Sequence, residues 1–572
     1  MSVGLRSMND PNMQEDLASS SQEAKTEPTE PHSNQILKEL QSLSAIDILK
    51  ILNSSIANSP VKSDEEVRPA SDIAGLHHNF DKQLEKLDIK HIVRAASSLP
   101  TPAISPSISS SITLPDGRAI NIPDSVQFVR LTWVDYTNNH SNSFVPINRF
   151  LSTIESPSKG SLTMPSALFH LIPNGATPGY SAAGEWRFFP DLSSLRVCGL
   201  DERKYATVMG HFENEDGTEA CAYCPRGILK RIVEEAKANN DVEFLVGFES
   251  EFILLSAIDP PTPINNAKWC YSSAARPGSL ELKVMEEIVQ ALDVSGIVVE
   301  YWHSEGTPGQ FEVITGPLPP VQAVDALVLT RETIYNVAAK HGVRATFAPR
   351  VFDNALGTAA HTHISVRRGS DTASVAVPSN PNSSVPNRPA IPTPFTSVES
   401  SFLQGLLTHL PSTCIFTLPT PSSYDRVKDG IWSGGTWVSW GRNNRECPIR
   451  ICKNQSGYNF EVRCVDATAN PYLAVAALLG AGLTGVKAGQ GLEVEECSVK
   501  AAFELSDAER VEKKLTKRLP MNLEEARDIF IKENHELSVM LGEDAVSLYL
   551  DVNKALAVKL EEMSLPQLIV KY

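Results

Sequence analysis

The chain has 572 residues, of which 42% are hydrophobic and 21% are charged, so it contains enough apolar material for a large folded core. Its 51 basic and 68 acidic residues give a net charge of −17, which argues against general binding to nucleic acids or anionic membranes. No apolar run approaches the roughly 18 residues that span a bilayer, and the polar start does not resemble a secretory signal. The nine cysteines are scattered and suggest reduced thiols, so we expect a cytoplasmic protein. Because of its negative charge and the absence of a long apolar run, we expect it to bind neither nucleic acid nor membrane.

The first part of the chain predicts an extension followed by a small β-rich domain. Residues 1–110 combine polar sequence rich in Ser, Pro and Glu with two short helical patterns, and we expect them to be mostly disordered with short helices. Alternating apolar positions over 126–137 and the stretch after the next polar turn predict a hairpin. A further short strand is predicted within 184–196. We therefore place a β-rich domain at 120–220.

Helical and strand patterns alternate over the rest of the chain and predict a second domain at 221–572. A Ser-, Pro- and Asn-rich stretch at 367–398 is expected to be a disordered insertion. Cys221 and Cys224 have no further cysteine or histidine pair at the spacing of a zinc site, so we interpret them as the start of a helix beginning at Pro225. The overall fold class predicted is α+β.

Four segments bring carboxylate and imidazole side chains to one side of apolar strands or turns. Side chains two residues apart on a strand face the same way. The segments hold Glu249 with Glu251, His361 with His363, Glu461 with Arg463, and Glu305 with Glu312, the last pair joined by a Gly/Pro turn. One such pair would be explained by an exposed strand edge, but five carboxylates can share a buried site only with cations, because they repel one another and lose hydration. Hard, oxygen-binding ions such as Mg²⁺ or Mn²⁺ fit this chemistry.

A second candidate cluster is basic and consists of Arg426, Arg445, Arg450 and Arg463. Arginine side chains bind carboxylate and phosphate oxygens through paired hydrogen bonds. Together with divalent ions they indicate a polyphosphate substrate. The sequence has neither a Walker A motif nor the glycine loop of protein kinases, so any ATP must be bound by another architecture.

Six motifs, in this order and at near-family spacing over roughly 125–570, resemble the glutamine synthetase superfamily. They are GFESEF, HSEGTPGQFE, FAPRVFDNALGTAAHTHIS, SYDR followed by WGRNNRECPIRI, FEVRCVDATANPYLAVAALLGAGL and LPMNLEEARDIFIKENHELSVMLG. The resemblance implies an N-terminal β-grasp domain and a catalytic domain with a curved antiparallel sheet. It also implies a homo-oligomeric ring with active sites between subunits. The implied reaction uses ATP and Mg²⁺ or Mn²⁺ to phosphorylate the glutamate side chain, and an amine then displaces the phosphate.

The resemblance also implies roles for individual residues. It assigns Glu251, Glu305 and Glu312 to a first metal ion and Glu249, His361 and Glu461 to a second. It places His363 near the ATP phosphates, and Arg445 and Arg450 where they would stabilise the transferring phosphoryl group. It places Gly357, Arg426 and Arg463 around the substrate glutamate.

Two departures from the family pattern concern the amine. Members that use ammonia carry a glutamate six residues after the arginine of the S-Y-x-R motif, and this chain has Trp432 there. They also carry an F-D-G-S-S motif in the β-grasp domain, whereas residues 166–185 have none and Glu185 is the only acidic residue at a matching later position. An indole ring cannot pair with ammonium as a carboxylate does, but it can pack on the carbon skeleton of a larger amine. The alternative is that Trp432 is a packing residue without a substrate role.

Glycines flank this tryptophan at positions 430, 434 and 435, which predicts a flexible flap over the site. Three functions remain open from the sequence. The favoured one is an ATP-dependent ligase that joins glutamate to an amine other than ammonia, with Trp432 among its catalytic residues. The second is a glutamine synthetase that uses ammonia, and the third is a non-catalytic relative that serves as a scaffold.

Overall fold

The structure is a computed structural model that describes residues 108–113, 119–156, 159–269, 275–369, 395–454 and 457–572. These residues belong to one unit, Ile104–Tyr572. The predicted N-terminal extension lies almost wholly outside the described residues, as does most of the predicted insertion. The flanks of the insertion are regular structure, because a strand runs to Arg368 and a helix begins at Ser397.

The first part of the described chain forms small sheets. Its strands are β1 (Ile108–Thr113), β2 (Ala119–Pro123), β3 (Phe128–Val134), β4 (His140–Pro146), β5 (Leu162–Pro165), β6 (Leu171–Ile172), β7 (Gly175–Ala176), β8 (Glu185–Pro190), β9 (Arg196–Val197) and β10 (Tyr205–Glu213). Six of them form a sheet ordered β4-β3-β10-β8-β5, with β9 paired to β10. The hairpin predicted after residue 126 is confirmed as β3 and β4. The central pair, β3 and β10, is parallel.

A nine-stranded sheet forms the centre of the second part. Its strands are β11 (Val242–Ile258), β12 (Pro261–Pro263), β13 (Val299–Ser304), β14 (Gln310–Leu318), β15 (Arg344–Thr346), β16 (Thr362–Arg368), β17 (Trp440–Arg442), β18 (Ile449–Asn454) and β19 (Gly457–Val462). The order is β13-β14-β11-β16-β19-β18-β17, and β12 and β15 also pair with β11. The predicted α+β fold with a mainly antiparallel sheet is confirmed; the one parallel pair within this described sheet is β17 with β18.

Helices pack around these sheets. They are α1 (Ile147–Ile154), α2 (Pro225–Asn240), α3 (Leu280–Val294), α4 (Pro320–Lys340), α5 (Ser397–Thr417), α6 (Pro421–Arg426), α7 (Pro471–Ala488), α8 (Asp507–Glu512), α9 (Leu523–Glu533), α10 (His535–Leu541), α11 (Glu543–Glu561) and α12 (Leu565–Lys571). Proline occupies the first position of α2, as predicted, and the sulfur of Cys224 accepts a hydrogen bond from the Gly227 N–H at 3.4 Å. The two cysteines therefore lie where α2 begins, as interpreted from the sequence.

Glycines allow α5 and α7 to pack closely at the centre of the helical layer. A Cβ atom on Gly482 would lie 2.0 Å from the Phe402 ring, and one on Gly485 would lie 2.1 Å from the Ser401 carbonyl oxygen. The close approach explains glycine in a helix interior, where it otherwise costs stability. Among the described residues, α7 alone is long and apolar enough to cross a membrane, and 89% of that stretch is buried inside the protein, as in a core helix.

A buried ion cluster connects the small sheet to the helices of the second part. Arg226, at the start of α2, is 5% exposed and donates to both carboxylate oxygens of Asp325 on α4, at 2.9 and 2.8 Å. It also donates to Asp191, just after β8, at 2.7 Å. The Tyr472 hydroxyl on α7 donates to Asp325 at 2.7 Å. The Arg226–Asp325 pair therefore connects α2, α4, α7 and the segment after β8.

Asp325→Ala is expected to lower the free energy of unfolding by about 3–5 kcal/mol, because it leaves the Arg226 guanidinium buried with half of its compensating charge. The exposed Asp528, which pairs with Lys532 at 3.2 Å, provides the control. Asp528→Ala should cost less than about 1 kcal/mol. Urea unfolding followed by circular dichroism measures both. Equal losses in the two variants would contradict the role of the buried cluster.

Candidate active site

The register of the nine-stranded sheet brings the predicted site residues together. Opposite one another on neighbouring strands are Glu251 and Glu312, Glu312 and His303, His363 and Glu461, and Glu461 and Arg450. Side chains directly opposite on adjacent strands have Cβ atoms about 4.5–5.5 Å apart. The two-residue spacing predicted from the sequence thus produces a charged patch that crosses β13, β14, β11, β16, β19 and β18.

A cavity of about 680 Å³, here called the acidic cavity, lies over this patch. Its lining includes the following predicted residues: Glu249, Glu251, Glu305, Glu312, Gly357, His361, Arg426, Trp432, Arg445, Arg450 and Arg463. Two further predicted residues lie next to it. Glu461 is fully buried, and His363 Nε2 lies 3.0 Å from the Glu249 carboxylate. The structure therefore gathers every residue predicted for the site.

Three of the glutamates lack enough positive charge around them. Burial, together with repulsion from Glu312 and Glu305, raises the pKa of Glu251 well above its usual value, although the Ala359 N–H donates to it at 2.9 Å. Burial likewise raises the pKa of Glu305, and it raises the pKa of Glu312 to about 7. Ionised carboxylates in this arrangement require a cation, since repulsion and lost hydration both oppose their charge.

Histidines compensate Glu249 instead. Although burial opposes its ionisation, hydrogen bonding to His361 and His363 holds the pKa of Glu249 well below its usual value. His361 Nδ1 lies 2.8 Å from this carboxylate. His303 also pairs with Glu312, and their hydrogen bond raises the pKa of His303 to about 9. Burial nevertheless keeps the pKa of Glu312 raised, unlike that of Glu249.

Two arginines enclose Glu461. The Arg450 Nε lies 2.7 Å from one carboxylate oxygen, and the Arg463 guanidinium donates to the other. Despite burial, the charge of Arg463 lowers the pKa of Glu461. Arg450, predicted to bind phosphate, and Arg463, predicted to bind glutamate, are thus both in contact with Glu461, which is predicted to bind metal.

The donor set fits divalent ions. Three groups have ligand atoms close enough to share one ion: Glu249, Glu312 and His361; Glu249, His363 and Glu461; and His303, Glu305 and Glu312. They overlap with the predicted sets but divide the residues differently, and they include His303. In this arrangement the carboxylates contact the nearest histidines and arginines, which are the hydrogen-bond donors available. The two predicted ligand sets stay predictions.

Arg426 and Gly357 form one corner of the acidic cavity. Arg426 is 2% exposed and donates to the carbonyl oxygens of Arg463 and Val465 at 3.1 and 3.2 Å. A Cβ atom on Gly357 would lie 2.5 Å from the Arg426 side chain and 2.4 Å from the Pro349 carbonyl oxygen. Glycine is therefore required here for the close approach of two chain segments. Arg445, by contrast, is exposed at the rim of the cavity.

The turn that carries Trp432 is tied to its surroundings. Trp432 has φ of +59°, its N–H donates to Glu446, and its carbonyl accepts from Arg463 at 2.8 Å. Asp429 accepts from the Thr436 N–H at 2.7 Å. The glycines at 430, 434 and 435 all have positive φ, between 65° and 98°, so the shape of the turn explains them without the predicted flap motion. The indole itself is 56% exposed.

Sequence reasoning missed two aromatic or imidazole residues at the site. His303 lies within a quoted motif, so its position could have been noticed. Trp269 lies in no motif, yet its ring packs edge to face on Trp432 with centroids 5.4 Å apart. Only the folded arrangement brings these two indoles together.

Comparison with known proteins identifies the family. A family described as "Glutamine synthetase, catalytic domain" matches residues 222–567. The chain belongs to this family, whose ligases use ATP and divalent ions, as the motifs predicted.

Individual relatives add detail. The chain is 34% identical over 524 residues to Protein fluG of Emericella nidulans, with 90% of this chain and 55% of the relative covered, so it spans about half of that protein. It is 31% identical to the gamma-glutamylpolyamine synthetase GlnA3 of Streptomyces coelicolor, over 60% of this chain and 72% of the relative. A crystal structure described as a novel glutamine synthase homolog matches 78% of this chain and 98% of its own, with a TM-score of 0.63 and 26% identity.

Glu251→Gln should reduce the stabilisation of the fold by divalent ions. The change keeps the shape of the side chain and removes the burial cost and the repulsion that raise the pKa of Glu251, so we expect equal or higher stability without metal. A metal at about 100 times its Kd stabilises by about 2.7 kcal/mol, and the variant should lose much of this gain. Melting temperatures with and without Mg²⁺ or Mn²⁺ measure it.

The matched control is Glu243→Gln on the same strand, where the carboxylate pairs with Arg367 and Lys237 away from the cavity. It should keep the metal response of the wild type. A full metal-induced shift in Glu251→Gln would rule out Glu251 as a ligand.

Proposed function

We propose that this protein is an ATP-dependent ligase that phosphorylates the γ-carboxylate of glutamate and condenses it with an amine other than ammonia. The observation that carries the proposal is the acidic cavity itself, in which a carboxylate and imidazole cluster lies beside four arginines and two tryptophans. Carboxylates that hold divalent ions and arginines that hold anionic oxygens are the two groups that phosphoryl transfer requires.

The residues divide into three tasks in this proposal. Glu249, Glu251, Glu305, Glu312, His361 and Glu461 hold the ions, with His303 as an additional candidate. Arg445, Arg450 and His363 bind the phosphate oxygens of ATP. Gly357, Arg426 and Arg463 bind the glutamate substrate.

The chemistry then follows from positioning. A γ-carboxylate oxygen of glutamate attacks the γ-phosphorus of ATP and ADP leaves, which gives an acyl phosphate. The amine nitrogen attacks the acyl carbon, phosphate leaves, and loss of a proton gives the amide. Bound divalent ions would neutralise the oxygens that gain charge in the first step. The arginines contribute fixed positive charge without reorganisation, because Arg450 and Arg463 are already held by Glu461.

Trp432 supports an amine larger than ammonia. Its indole lines the acidic cavity and is 56% exposed, so it presents an apolar surface where a carboxylate would be needed to hold ammonium. The nearby carboxylate of Glu446 already accepts the N–H groups of Gly430 and Trp432. The name of the Streptomyces relative, a γ-glutamylpolyamine synthetase, shows that an organic amine is compatible with this family.

We also propose the homo-oligomeric ring implied by the family motifs, with a neighbouring subunit covering the mouth of the acidic cavity. Three apolar side chains at this mouth are exposed: Tyr301 at 57%, Trp432 at 56% and Val499 at 94%. Exposed apolar clusters of this kind often mark subunit contacts. Light scattering of the purified protein gives the number of subunits, and a monomer would remove this part of the proposal.

The amine preference is tested by kcat/KM for ammonium and for a panel of primary amines, with ATP and glutamate present. The wild type should use a carbon-bearing amine far better than ammonium. Trp432→Glu should reverse part of this preference, since it removes apolar contact worth about 1–3 kcal/mol and adds a carboxylate that can hold ammonium.

Trp432→Phe is the matched control, because it keeps an aromatic ring and should keep the preference for the larger amine. Efficient glutamine formation from ammonium without use of any amine would establish a glutamine synthetase instead. Absence of glutamate-dependent ATP turnover with every nitrogen donor would favour the scaffold.

A further inference from the structure

A second cavity of about 610 Å³, here called the side cavity, adjoins the acidic cavity. The two share four lining residues: Trp269, Leu356, Ile431 and Trp432. Both volumes lie within the roughly 300–1,000 Å³ of small-molecule sites. None of the residues proposed to bind glutamate and phosphate lines the side cavity, and all of them except His363 line the acidic cavity. The side cavity is therefore available to a part of the substrates other than glutamate and the ATP phosphates.

The boundary between the cavities is built around Trp269. Its ring rests on Gly306, where a Cβ atom would lie 3.2 Å from the indole and 2.5 Å from Leu356. The backbone N–H of Trp269 donates to the carbonyl of Glu305, and its own carbonyl accepts from the Ser304 hydroxyl. Trp269 is thus fixed next to a predicted metal ligand. The pair of indoles forms an apolar edge that a substrate chain can cross.

The lining of the side cavity is partly apolar and partly positively charged. Apolar surface comes from Pro263, Pro308, Phe352 and Ala355, and positive charge comes from Lys268 and Arg350. Among its described lining residues none is acidic. Lys268 is exposed and forms no ion pair with any described residue. The second ammonium group of a diamine would lie near like charges here, whereas an apolar chain that ends in a carboxylate would lie near opposite charges.

We propose that the side cavity binds the carbon tail of the amine substrate, and that this tail is apolar with a neutral or anionic far end. The inference rests on the ligase activity proposed above. The reacting nitrogen lies in the acidic cavity, near the residues proposed for glutamate, and the chain runs across the edge formed by Trp269 and Trp432. The charge of the side cavity thereby selects against polyamines, in contrast to the substrate named for the Streptomyces relative.

The test compares amines of one length with the full-length protein, Mg²⁺, ATP and glutamate. Hexylamine has a neutral end, ε-aminocaproate an anionic end and hexamethylenediamine a cationic end, while methylamine has no tail. We expect kcat/KM to be highest for ε-aminocaproate and lowest for hexamethylenediamine. Lys268→Glu should shift the ratio of the two kcat/KM values by about tenfold or more toward hexamethylenediamine. The reason is that the cationic end of the diamine would then face a negative charge in place of a positive one.

Lys268→Glu should leave kcat/KM for methylamine and the KM for glutamate unchanged. Arg350 is not substituted, because its guanidinium also donates to the carbonyls of Asp353 and Asp425 and supports the loop. Lys487→Glu, at the exposed end of α7, makes the same change of charge outside both cavities and should leave the amine ratio unaltered.

The outcomes separate the two proposals. Turnover of amines with a preference for the diamine, or with a ratio that Lys268→Glu does not move, overturns the assignment of the side cavity and leaves the ligase intact. A change in the KM for glutamate overturns it as well, since the cavity would then belong to the acid substrate. Failure to use any amine, methylamine included, overturns the ligase proposal and this inference together.

Discussion

The interaction on which the site depends is the repulsion among carboxylates that the sheet register forces together. Glu251 and Glu312 lie opposite one another on neighbouring strands, and neither can move away without shifting the register. Burial and repulsion from neighbouring carboxylates together raise the pKa of both glutamates. The other half of the site is already compensated, since His363, whose pKa is raised, pairs with Glu249 and arginines enclose Glu461. Positive charge brought by divalent ions is thus needed mainly at the first half, which couples ion binding to the stability of the fold.

Rigid strands carry the charged groups, whereas turns carry the surfaces proposed to select the amine. Glu249 and Glu461 belong to paired strands at the centre of the sheet, a setting that keeps side chains in place. Trp269 and Trp432 lie on connecting segments, and both have positive φ. Loops of this kind can change in sequence without disturbing the sheet beneath. The proposed chemistry and the proposed choice of amine therefore rest on different parts of the chain.

Local sequence predicted those features that depend on strand period and on the helix start at Pro225. Glu249 with Glu251 and His361 with His363 could be recognised because a strand repeats every two residues. The packing of Trp269 on Trp432 could not, because it depends on two turns, distant in sequence, that come together only in the fold. The flexible flap stays a prediction, because positive φ alone accounts for the glycines from which it was predicted. The charge balance around each glutamate also required the fold, since burial and cross-strand neighbours determine it.

The most direct test of the central claim follows an oxygen atom. Glutamate labelled with heavy oxygen in its γ-carboxylate is incubated with the protein, ATP, Mg²⁺ and the best primary amine, and the products are analysed by mass spectrometry. Formation of an acyl phosphate predicts that one labelled oxygen leaves with the released phosphate and that the amine is found in a γ-glutamyl amide. Unlabelled phosphate, with glutamate recovered unchanged, would show that water attacks ATP directly and would contradict the account.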